Sequence, residues 1–114
     1  MPGQDIRFVI PTSLANVRIS YVEYTGNGTT PRNINHNLGD IPDLCVIVKK
    51  DSGFLAVQRF SGFTGNISQY YNGTLVPGSQ GIRGLSATQV TIGSDLNVNQ
   101  NNSVFCMICF KAGT

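Results

Sequence analysis

Apolar residues recur along this chain with a period of two, and turns rich in Gly, Asn and Ser separate the apolar stretches. This alternation is typical of β-strands with one buried face, and no stretch has a helical period long enough for an ordinary helix. The predicted strands are residues 6–10, 17–24, 30–37, 44–48, 54–60, 88–93 and 103–111, with short strands and long loops between 61 and 84. We therefore predict an all-β fold, an antiparallel β-sandwich of jelly-roll type.

Two of the predicted strands are apolar on both faces. Residues 44–48, with the sequence LCVIV, do not alternate at all, which fits a strand buried on both sides. Residues 103–111 place Val104, Cys106, Ile108 and Phe110 on one face and Phe105, Met107, Cys109 and Lys111 on the other.

The outer face of a strand in a two-layer sandwich normally meets solvent. Either a loop or a neighbouring subunit therefore covers the second face of residues 103–111. The subunit alternative makes Phe105 and Met107 candidate interface residues.

The N-terminal segment, residues 1–15, contains a short apolar run at residues 6–10 with a proline on each side. This run is either the first strand of the sandwich or an arm that adds to the sheet of a neighbouring subunit. In the arm alternative, Ile6, Phe8 and Ile10 share one face and are candidate interface residues. The predicted organisation is thus residues 1–15 as arm or first strand and residues 16–114 as one sandwich domain.

Composition narrows the class of protein. Only 12% of the 114 residues are charged, the net charge is +2, and the basic residues are scattered, so we expect no nucleic-acid partner. The N-terminus has no basic targeting region, and residues 6–10 are too few for a membrane span. We therefore expect a protein that is made in a cytoplasm and has no membrane partner.

The three cysteines lie in apolar strands, and their odd number argues against a disulfide framework. Cys106 and Cys109 have the C-x-x-C spacing. Residues three apart on a strand point to opposite faces, however, whereas a metal or redox pair needs converging sulfurs. We expect free thiols.

Two further features of the sequence were considered as sites, a possible calcium loop and the single histidine. Asp95, Asn97 and Asn99 alternate like the start of a calcium loop, but the glycine at its sixth place and the glutamate at its twelfth are missing. His36, the only histidine, lies in a predicted turn with no nucleophile or carboxylate that the sequence places beside it. We therefore predict no catalytic residue, no metal and no cofactor, and a protein that is not an enzyme.

Tyr70 and Tyr71 are adjacent aromatic residues in the loop-rich middle of the chain. Their rings suit either stacking on a sugar or filling a protein interface, and we place them among the candidate interface residues.

Residues 24–53 and 90–113 carry a resemblance to a known family. The first contains the turn TGNGT followed by HNLGDIPDL and a lysine-ended strand, and the second contains IGSDLNVN before a strand that ends in FKAG. These motifs resemble a β-sandwich module of tailed-bacteriophage virion proteins. The resemblance implies a structural protein of the virion, assembled in the host cytoplasm.

Because the chain shows no shaft or coiled coil, we expect a capsid decoration or cement protein that stabilises the head. Its expected partners are the major capsid protein and further copies of itself, in a trimer that suits the quasi-threefold positions of the shell, as the virion resemblance implies. The alternative is a receptor- or glycan-binding tip domain of a tail fibre or capsid appendage.

Overall fold

The computed structural model describes residues 17–51 and 55–113, which form eight strands and a single helical turn. The elements are β1 (Arg18–Thr25), β2 (Arg32–Asn35), β3 (Leu44–Lys49), β4 (Val57–Phe60), β5 (Gln69–Tyr70), β6 (Ile82–Leu85), β7 (Gln89–Ile92), α1 (Leu96–Asn99) and β8 (Val104–Lys111). The predicted strand at residues 6–10, and with it the arm alternative, lies outside the described residues, as does residue 54 at the start of another predicted strand.

The strands form two antiparallel sheets. The five-stranded sheet has the order β1-β8-β3-β4-β5, and the three-stranded sheet has the order β2-β7-β6. The prediction of an all-β sandwich is therefore confirmed. The jelly-roll topology is not confirmed, because β3, β4 and β5 are sequential neighbours in one sheet, whereas a jelly roll is built from two Greek keys.

The core lies between the inner faces of the two sheets. Fourteen apolar side chains of the described residues are buried there, from Tyr24 to Cys109, and the Tyr24 and Phe105 rings stack with centroids 5.3 Å apart. Successive side chains of a strand point to opposite faces of the sheet, which explains this burial. The inward-pointing side chains are Cys45 and Ile47 of β3 and Phe105, Met107 and Cys109 of β8. Burial of these side chains is the main source of stability.

The inward position of β8 corrects one prediction. Phe105 and Met107 were candidate interface residues in the subunit alternative, but both are fully buried within the chain itself. The three-stranded sheet covers this face, so neither a loop nor a subunit is needed. Because both faces of β8 are apolar, the sequence pattern does not reveal which face meets the core.

Candidate functional site

The outer face of the five-stranded sheet is the most unusual surface of the described chain. The register aligns Ile19 with Phe110, Leu44 and Phe60 in one row across β1, β8, β3 and β4, and aligns Tyr21 with Ile108, Val46 and Gln58 in the next. A third row contains Glu23, Cys106 and Val48. We call this surface, made of these eleven residues with Lys50 at its end, the outer face.

Several of these apolar side chains are substantially exposed. The exposed fractions are 64% for Ile19, 60% for Tyr21, 42% for Phe60, 39% for Val48 and 38% for Ile108. The prediction that β3 is buried on both faces is therefore wrong within the single chain, because Val48 meets solvent. Contiguous apolar surface of this extent on a soluble protein marks an interaction site.

The charged groups of the outer face are confined to one end. The Tyr21 hydroxyl lies 2.9 Å from the Cys106 sulfur, and hydrogen bonding with Cys106 raises the pKa of Tyr21. Glu23 and Lys50 form an ion pair of 2.8 Å, which lowers the pKa of Glu23 and raises that of Lys50. They are the two charged residues of the outer face, so its formal charges cancel.

The three cysteines occupy two environments. Cys45 and Cys109 are directly opposite on β3 and β8 and are fully buried, and their hydrogen bond together with burial raises the pKa of the Cys45 thiol. Cys106 is half-buried on the outer face. Cys106 and Cys109 therefore point to opposite faces, as predicted, and all three thiols are free.

The two segments that carry the family resemblance meet in the fold, at the end of the sandwich where α1 lies. The Asn99 side chain accepts from the Asn27 backbone N–H at 3.0 Å and from Arg32 at 3.1 Å, and it donates to the Thr29 carbonyl at 2.7 Å. Gly26 packs so tightly beside this loop that a Cβ there would collide with the Gln100 carbonyl. We call this contact between residues 26–32 and 99–103 the turn lock.

The predicted calcium-loop residues have internal partners instead of a common centre. Asp95 caps α1 by accepting from the Asn97 backbone N–H at 2.8 Å. The side-chain amide oxygen of Asn97 accepts from the Leu55 N–H, while Asn99 belongs to the turn lock. Within residues 17–51 and 55–113 no group of three His, Cys, Asp or Glu side chains is placed to hold a metal ion.

His36 is fully buried and holds two loops together. Its Nδ1 accepts from the Leu38 N–H at 3.0 Å, which leaves Nε2 to donate to the Ser86 carbonyl at 2.8 Å. Both ring nitrogens are thus used in structural hydrogen bonds, and the ring is not available as a general base at the surface.

The two candidate tyrosines are in different environments. Tyr70, in β5, is half-buried and donates to the Asp95 carboxylate at 2.9 Å. Tyr71 is as exposed as Ile19 and lies in the turn after β5. The structure therefore does not bring them together as one aromatic surface, and only Tyr71 offers its ring to a ligand.

Arg59 is a buried cation that no sequence pattern singles out. Its guanidinium donates to the carbonyl groups of Ile67, Phe63 and Gly65 at 2.5–3.1 Å, and burial lowers its pKa. Because one side chain holds three carbonyls, the loop after β4 is fixed against the sandwich. No local pattern predicts this, since the loop lacks any periodicity.

No helix in the described part of the chain is long and apolar enough to cross a membrane. Comparison of the chain with family models, with curated proteins and with solved structures found no match. The exposed apolar outer face is the structural basis for a proposal of function.

Proposed function

We propose that this chain is a structural protein of an assembled particle, and specifically a bacteriophage capsid decoration protein that stabilises the head. One observation carries the proposal: the sandwich has a complete apolar core and, in addition, an apolar outer face that the described chain leaves exposed. A residue of this size has about 200 Å² of surface when fully exposed. Scaled by their exposed fractions, the five residues together place about 500 Å² on this face, at the upper end of the largest patch on a typical monomer.

The bacteriophage part of the proposal is supported by the resemblance of residues 24–53 and 90–113 to the virion module. The low fraction of charged residues also suits a subunit surrounded by other protein. In this proposal the major capsid protein is the partner of the assembled form. The remaining candidate contact residues, Ile6, Phe8 and Ile10, would then bind the capsid.

The test uses phage particles assembled with and without this chain. Particles that lack it are expected to release DNA at a lower temperature, and adding the purified chain should restore the original temperature. The double variant Phe8→Ser with Ile10→Ser is expected to restore less, because about 3–5 kcal/mol of gross transfer free energy is lost with these side chains.

Two outcomes would contradict this. Unfolding of the free double variant at a clearly lower temperature would show that residues 6–10 are a strand of the sandwich. Particles that lack the chain but keep normal heat stability and lose adsorption to cells would overturn the decoration proposal.

A receptor- or glycan-binding tip domain is the second candidate, and exposed Tyr71 is the observation that favours it. Tyr71→Ser should then abolish adsorption, whereas Tyr21→Ser, at a tyrosine of similar exposure on the outer face, should not. The decoration proposal expects Tyr71→Ser to leave adsorption unchanged.

A further inference from the structure

We propose that the outer face is covered by the same face of a second copy of this chain, in a two-fold symmetric dimer. This deepens the proposed function by naming the partner of the outer face, and it rests on that proposal only in taking the face as an assembly surface. This dimer replaces the trimer that the virion resemblance implies, and it would be the form in which the protein reaches the particle.

The size of the outer face fits a second copy of this chain. The five exposed side chains contribute about 500 Å², and half-buried neighbours such as Leu44, Val46 and Phe110 enlarge the area. The total approaches the about 800 Å² per partner that a standard stable interface buries. A short peptide or a small ligand would leave much of this surface in water.

The charge of the outer face also favours a second copy of this chain. Glu23 and Lys50, the two charged groups of the outer face, neutralise each other within one chain. A nucleic acid or a strongly charged protein would find no complementary potential there. A second neutral and apolar face is complementary, and this chain itself provides one.

The packing geometry of two β-sheets also permits this dimer. Two twisted sheets pack face to face about 10 Å apart with their strands near −30°, which is the packing of a sandwich core. A two-fold axis brings one patch onto its own copy, so residues near the axis meet their equivalents. Ile108 and Val46 lie in the middle row of the outer face, on its two central strands, and would lie near this axis.

Sedimentation of the full chain at micromolar concentrations tests the proposal directly. The expected species has twice the mass of one chain, and Ile108→Glu should weaken association by about 100-fold because each carboxylate would be buried without a partner. Leu96→Glu, at an exposed leucine of α1 outside the outer face, is the matched control and should leave the dimer intact.

A second measurement does not depend on a charged substitution. Cys106 is the half-buried thiol on the outer face, whereas Cys45 and Cys109 are fully buried in the core. Alkylation by iodoacetamide should be slow when the chain is concentrated and at least 10-fold faster under dilution, and Cys106→Ser should remove the label.

The outcomes separate this proposal from the proposed function. A monomer or a trimer at micromolar concentration would overturn the dimer. Neither result would change the heat stability of particles, which tests the decoration role. A dimer that Ile108→Glu leaves intact would also overturn the proposal, because association would then use another surface.

Discussion

At the scale of single residues, Asn99 shows how one buried amide joins distant parts of the chain. Its carbonyl oxygen and its amide nitrogen together hold Asn27, Arg32 and the carbonyl of Thr29. Asn99 is fully buried, so its side-chain amide depends on these protein partners rather than on bulk water. Both ends of the amide are used, which neither an aspartate nor a leucine can reproduce.

We expect Asn99→Ala to lower the free energy of unfolding by about 2–4 kcal/mol, since it leaves several polar groups without partners. Chemical denaturation measures this loss. Asn101→Ala, at an exposed asparagine two residues away, is the control and should change stability by less than about 0.5 kcal/mol. Equal effects of the two substitutions would show that the turn lock contributes little.

At the scale of elements, β3 and β8 share the property that both of their faces are apolar. One face of each strand packs in the core, and the other contributes to the outer face. The two faces have the same residue types but different roles in the single chain. Neighbouring positions on one strand therefore separate stability from association.

Ile47 and Val48 provide this separation on β3. Ile47→Ala should cost about 2–4 kcal/mol of stability because Ile47 is fully buried and the substitution leaves a cavity. Val48→Ala should cost less than about 1 kcal/mol in the monomer and should weaken the dimer instead. Thermal unfolding of dilute samples and sedimentation of concentrated samples measure the two effects. A large loss of stability for Val48→Ala in dilute solution would contradict the assignment of the faces.

At the scale of the whole molecule, exposed carboxylates are paired at both ends of the five-stranded sheet. The N–H of Ile41, together with Lys111 and Arg18, lowers the pKa of Asp40, and Lys50 lowers the pKa of Glu23. A carboxyl group with a lowered folded-state pKa stabilises the fold above its unfolded pKa. That stability is lost as the pH falls through the folded value.

We therefore expect the unfolding temperature to fall as the pH is lowered from about 5 to about 3. The dimer should weaken over the same range, because protonation of Glu23 leaves the two Lys50 side chains unpaired at the interface. Glu23→Gln should weaken the dimer already at neutral pH and reduce its dependence on acid. A dimer that is unaffected by acid while the fold persists would contradict the placement of Glu23 at the interface.

The sequence by itself determined the fold class and the position of most strands along the chain. Alternation of apolar residues and turns rich in Gly and Asn are local properties. The described strands lie inside the stretches that they predict, except that β1, β3 and β6 each extend one residue further. The sequence also showed that β3 and β8 have two apolar faces, which is the property on which the candidate site depends.

Only the tertiary structure decided which of those faces is the core. Periodicity distinguishes two faces only when they differ in polarity, so it left Phe105 and Met107 as candidate interface residues although they belong to the core. The pairing of β1 with β8, the ion pair of Glu23 with Lys50 and the turn lock of Asn99 each join residues more than twenty positions apart. Such contacts follow from strand pairing and sheet packing, and no local pattern encodes them.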